Sequence, residues 1–157
     1  MKPAFRIVGL PSETFATLFS MDAAQLAEQG AQRLAVDKTP GYPCRVSLED
    51  AQPGESVILL PFVHHEVDSP YRASGPIFVR EFAQEPSLAP GEIPEVVSSR
   101  LLSVRAYDEK GMMLAAKVTE GRDLKTQVEE LLGNPNISYL HLHNAGAGCY
   151  SCRVERV

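Results

Sequence analysis

The residues best suited to chemistry cluster near the C-terminus, in Tyr139-Leu140-His141-Leu142-His143-Asn144 and, after a glycine-rich turn, Cys149. If this stretch is extended, alternation sends Tyr139, His141 and His143 to one face and Leu140 and Leu142 to the other. The two imidazoles then stand about 7 Å apart at their backbones and can converge on one ligand. Cys149 paired with His141 or His143 could form an activated thiolate, with Asn144 orienting the base. His141 and His143 could instead join His64, His65 or a cysteine around a metal, since imidazole and thiolate both suit zinc. Cys149-x-x-Cys152 adds little to the metal case. Residues three apart on a strand face opposite ways, and Tyr150-Ser151 offers no knuckle.

Arginine supplies a third chemistry. The chain holds ten Arg and five Lys. Arg45, Arg72, Arg105 and Arg153 sit in loops or on strands, where a guanidinium fork can take a carboxylate or phosphate in bidentate fashion. Ser103, Arg105 and Tyr107 share a strand face, and the turn Tyr71-Arg72-Ala73-Ser74-Gly75 could add backbone and hydroxyl donors. The competing explanation is structural: these arginines can pair with the 20 acidic side chains. No phosphate-loop lysine, serine elbow, His-Glu-x-x-His motif or dinucleotide fingerprint is present.

The elements that must position these groups read as an α+β fold: a mostly antiparallel sheet of seven or eight strands covered by about two helices. Strands are predicted at Phe5–Leu10, Ser56–Val63, Ile77–Phe82, Leu101–Tyr107, Met112–Thr119, Ile137–His143 and Cys149–Val157. Asp108-Glu109-Lys110-Gly111 reads as a hairpin turn. Helices are predicted at Asp22–Gln29, capped by Asp22, and at Asp123–Leu132, where Leu124, Val128, Leu131 and Leu132 form one apolar face. The 157 residues fit a single domain spanning 1–157.

Hydrophobic residues make up 44% of the chain and net charge is −5. That balance suits a globular protein and speaks against a nucleic-acid partner, which needs clustered basic residues. No run reaches the ~20 apolar residues of a spanning helix, so no membrane partner is expected. Three cysteines without a disulfide spacing, and no signal-peptide pattern, point to a cytoplasmic protein.

Several blocks together carry a resemblance. They are Pro40-Gly41-Tyr42-Pro43-Cys44-Arg45, Ser69-Pro70-Tyr71-Arg72-Ala73-Ser74-Gly75-Pro76-Ile77-Phe78, Ser103-Val104-Arg105-Ala106-Tyr107-Asp108, and His141-x-His143-Asn144-Ala145 with Gly148-Cys149. In this order they resemble the bacterial domain of unknown function 1203 family. The resemblance implies a common set in Cys44, Arg45, Arg72, Arg105, His141, His143, Asn144 and Cys149, with no activity, cofactor or partner attached.

The leading expectation is a pocket binding a small anionic ligand. Arg45, Arg72, Ser74, Arg105 and Asn144 would hold the ligand, and Cys149, His141 and His143 would supply acid–base or nucleophilic chemistry. Its rival is a non-catalytic binding or assembly protein in which the Arg and His set is a structural network. Metal binding ranks third, so no metal ligands and no cofactor are assigned. Enzyme or not, and oligomeric state, stay open.

Overall fold

Two antiparallel sheets, one of five strands and one of three, divide the chain. The computed structural model describes residues 2–157. The strands are β1 (Phe5–Val8), β2 (Gln32–Ala35), β3 (Ser56–His65), β4 (Ala73–Arg80), β5 (Leu101–Tyr107), β6 (Met113–Glu120), β7 (Tyr139–Asn144) and β8 (Tyr150–Arg156). The larger sheet has the order β1-β8-β7-β5-β6 and the smaller β2-β3-β4. Helices α1 (Ala23–Glu28), α2 (Glu95–Ser98) and α3 (Leu124–Leu132) complete the α+β fold, and none of the described helices is long and apolar enough to cross a membrane.

Local chemistry explains most of these elements. Asp22 accepts from the Gln25 backbone while the Gln25 side chain accepts from the Asp22 backbone, a reciprocal cap that starts α1. Gly30 ends that helix at φ 71°. The predicted turn between β5 and β6 is held by Asp108, whose Oδ1 accepts from the backbones of Lys110 and Met112.

The large sheet has two unlike faces. Its apolar face, with Ile7, Leu102, Val104, Ala106, Leu140, Leu142, Cys152 and Val154, packs on Leu124, Val128, Leu131 and Leu132 of α3 and on Val96 and Val97. Burying each such aliphatic chain stabilises by about 1.5–3 kcal/mol, so this face fixes β7 firmly between β5 and β8. A separate cluster of Phe15, Leu18, Leu26, Cys44, Val46, Ile58, Ile77 and Val79 packs the small sheet. The chain leaves β1 through Gly9, where a Cβ would lie 2.1 Å from the carbonyl oxygen of Val46. Only glycine permits that approach, which lets Leu10 donate to the Arg45 carbonyl at 2.9 Å and ties the sheets together.

The structure departs from the sequence expectation in places. Strand β2, the one-turn helix α2 and two 3₁₀ turns at Ser12–Thr14 and Ala16–Ser20 were not foreseen. Strand β3 runs on to His65 and β4 starts at Ala73 and ends at Arg80 rather than Phe82. The later end of β3 and the earlier start of β4 arise because β3–β4 pairing extends past a bulge between Phe62 and His65, which propensity does not signal.

Candidate functional site

The second face of the large sheet is polar and lies against the end of β3. Register across the sheet sets Arg105 on β5 beside His141 on β7 and Arg153 on β8. The next row pairs Ser103 with His143 and His143 with Tyr150. In the third row Tyr107 pairs with Tyr139. Alternation thus presents Tyr139, His141 and His143 together, as expected, while Leu140 and Leu142 enter the core.

The bulge in β3 completes the group. In a regular strand His64 and His65 would face opposite ways, yet both rings reach the polar face: His64 lies 6.4 Å and His65 4.9 Å from His141, centroid to centroid. Their roles differ. The Tyr71 carbonyl lies 2.7 Å from Nδ1 of His65, and a carbonyl only accepts, so that nitrogen carries the proton. Nε2 of His65 then accepts from the Tyr139 hydroxyl at 2.6 Å. Both nitrogens are committed, and His65 is a structural residue.

His64 is not so committed. One ligand-capable nitrogen each from His64, His141 and His143 lie within 4.8 Å of one another. Nδ1 of His64, Nδ1 of His141 and Nε2 of His143 are buried with no hydrogen-bond partner. The Tyr150 ring stacks on His64 at 5.1 Å and meets His141 edge-on at 5.0 Å, which holds both rings in place. Burial, reinforced by neighbouring cationic groups, keeps the imidazoles neutral: it pushes His141 down to about 2 and His64 and His143 down to about 4. A neutral imidazole with an unengaged lone pair is the form that binds a metal. Tetrahedral bonds of about 2.0–2.1 Å put ligand nitrogens roughly 3.3 Å apart, so modest ring rotations close the triangle.

The remaining predicted site residues disperse. Arg105 is half-buried, its Nε donating to Ser103 Oγ at 3.2 Å, and its charge reaches His64 and His143. Asn144 and Cys149 sit together at the β7–β8 hairpin, Nδ2 of Asn144 being 3.5 Å from Sγ of Cys149. Among the described residues no histidine hydrogen-bonds Cys149. Arg45 is 3% exposed and spent on the carbonyls of Tyr150, at 2.7 Å, and Pro43. Arg72 is exposed and 3.9 Å from Glu66. With exposed Ser74 it lines a shallow hollow beside Val63, and that hollow contains none of the histidines. Of the residues expected to share one pocket, Asn144, Cys149 and Arg45 gather at the β7–β8 hairpin, Arg105 stands beside His141 and His143, and Arg72 and Ser74 lie at the separate hollow. Tyr150, unnoticed in the sequence, takes its place opposite His143 only because the β7–β8 register shifts between Leu142 and His143.

The family model described as Protein of unknown function (DUF1203) matches residues 41–156, which include β3 to β8 and every histidine discussed here. The chain belongs to that family. The matched stretch covers the site and strands β3 to β8, while β1, α1 and β2 precede it. No curated protein and no solved structure matches the chain.

Proposed function

We propose that this protein binds a zinc-class divalent metal ion through His64, His141 and His143, and that its function is exercised at that ion. The observation that carries this reading is the convergence of three histidines whose ligand-capable nitrogens lie within 4.8 Å of one another, each ring also holding a buried nitrogen without a hydrogen-bond partner. An unsatisfied buried polar atom costs about 1–3 kcal/mol, and three in one place are a debt that a shared cation settles. Three protein ligands leave a fourth position open, the arrangement of catalytic rather than structural zinc sites. His143 has the supporting contact such ligands usually have, its Nδ1 donating to the Gly148 carbonyl at 2.9 Å. A bound ion of this class would act as a Lewis acid at the open position.

Nucleophilic catalysis by Cys149 draws less support, because its thiol contacts Asn144 while His143 Nδ1 is held by Gly148. The test is metal uptake. Wild-type protein stripped with a chelator should rebind one zinc per chain. At about 100 times the dissociation constant, binding adds roughly 2.7 kcal/mol, a rise in melting temperature of about 5–10 °C for a chain of this size. His141→Ala should show neither effect. Zinc uptake unchanged in His141→Ala, or no uptake by the wild type, overturns the reading.

A further inference from the structure

We infer that the open position of the three-histidine centre takes the carboxylate of a small, partly apolar organic acid, clamped from the other side by Arg105; this rests on the metal reading above. Three neutral imidazoles leave the ion's two positive charges uncompensated, and no Asp, Glu or Cys ligand atom belongs to the cluster. The arginines that bear on these rings are Arg105, which faces His141 across the β5–β7 pair and acts on His64 and His143, and Arg153, which acts on His141. Arg153 has Glu155 at 3.0 Å and lies over the Tyr139 ring at 4.1 Å. Arg105 has no carboxylate within salt-bridge distance among the described residues; its side-chain contacts are with the hydroxyls of Ser103, at 3.2 Å, and Tyr107. A half-buried guanidinium that meets only neutral hydroxyls, beside a cluster suited to a dication, is a site for an anion that answers both charges.

The neighbouring surface selects an organic acid over an inorganic one. On β6, Ala116 stands opposite Arg105 and Val118 opposite Ser103. Ala116 is exposed, Val118 is 68% exposed, and Leu101, two residues before Ser103 on the same face, is 46% exposed. Cross-strand neighbours lie about 5 Å apart at Cβ, so an apolar strip begins one side chain from the guanidinium. An inorganic oxyanion leaves that strip wet, whereas an aliphatic or aromatic carboxylate covers it.

The experiment uses cobalt(II)-loaded full-length protein, whose visible spectrum reports ligands at the ion. Titration with hexanoate should change the spectrum, with affinity at least tenfold above that for acetate and above that for phosphate. Arg105→Gln should keep one cobalt per chain, which shows that the variant folds, and lose at least tenfold in hexanoate affinity. Val118→Ser should retain the acetate response and lose most of the gain from chain length. Cobalt bound by the wild type with no spectral response to any of these anions, or an equal response in Arg105→Gln, overturns the anion site and leaves the metal centre standing. A phosphate response stronger than that of hexanoate overturns the organic-acid assignment. Failure of the wild type to take up cobalt sinks both.

Discussion

Nδ1 of His143 donates to the carbonyl of Gly148 at 2.9 Å, and Nε2 of the same ring is thereby left as a buried lone pair without a partner. The hairpin turn fixes the tautomer of a candidate ligand. Gly148 holds φ 79°, which a residue with a Cβ adopts only under strain. A Gly148→Ala chain, with open space around the new methyl, should fold but shift that carbonyl. Zinc affinity should fall about 10–100-fold, as for the loss of other supporting contacts to ligating histidines. Calorimetric titration measures it, and an unchanged affinity would detach the turn from the site.

His64 and His65 are adjacent in sequence and opposite in consequence. His64→Ala removes a ligand and should cut zinc affinity by more than about 100-fold, beyond the usual supporting-contact loss, with little change in the melting temperature of metal-free protein. His65→Ala orphans the Tyr71 carbonyl and the Tyr139 hydroxyl, at about 1–3 kcal/mol for each buried group. It should melt markedly lower while still binding one zinc. The reverse pattern would make His65 the ligand.

Much of this arrangement was legible in the sequence, and the limits are physical. Alternation alone places His141 and His143 on one face with Leu140 and Leu142 on the other, because a two-residue period follows from strand geometry. It also groups Ser103, Arg105 and Tyr107. The choice between His64 and His65 was not legible, since it depends on a bulge that breaks the same period. The surroundings of Arg45 were not legible for a related reason: residue type shows what a guanidinium can bind, while burial decides whether a carbonyl has already taken it. Strand β2 was invisible because, with two charged or amide side chains in four residues, it carries little strand signal.

The three thiols should separate by access. Cys44 and Cys152 are 1% exposed, and burial pushes the Cys152 thiol up to about 12. Thiolate is the reactive form, so native protein should titrate one fast thiol per chain with a disulfide reagent. That thiol is the partly exposed Cys149. Cys149→Ser should abolish the fast phase, and the other two thiols should react only in denaturant. Two fast thiols in the native state would contradict the packing.

A pH-dependent contribution comes from Glu55, whose carboxylate accepts from Arg80 at 2.7 Å. That hydrogen bond, helped by the Gln52 backbone, holds Glu55 below its ordinary value of 4.5. A depressed carboxyl contributes stability that is fully present above the unfolded value and is lost as pH falls through the folded one. Wild type should therefore melt above Glu55→Gln by a constant margin at pH 6–7, and the margin should shrink below about pH 4.5. A margin that widens with acid would reverse the assignment.

Arg45 tests whether its place among the expected ligand-binding residues was wrong in kind. Its guanidinium spans the carbonyls of Tyr150 and Pro43 and lies 6.0 Å from the Phe78 ring centroid. It therefore anchors the backbone of the residue whose ring stacks on His64. Burial lowers the pKa of this arginine, so the buried cation carries its own cost and part of the loss on removing it is offset. Orphaning two carbonyls costs about 1–3 kcal/mol each, and the offset brings Arg45→Met to a net loss of roughly 2 kcal/mol. At about 2–4 °C per kcal/mol, the melting temperature of metal-free protein should fall by about 4–8 °C. Zinc should still bind with one ion per chain, and the anion response of the cobalt-loaded protein should persist, because Arg105 rather than Arg45 is paired with His141 across the sheet. An Arg45→Met chain of undiminished stability that has lost the anion response would restore Arg45 as a ligand-binding residue.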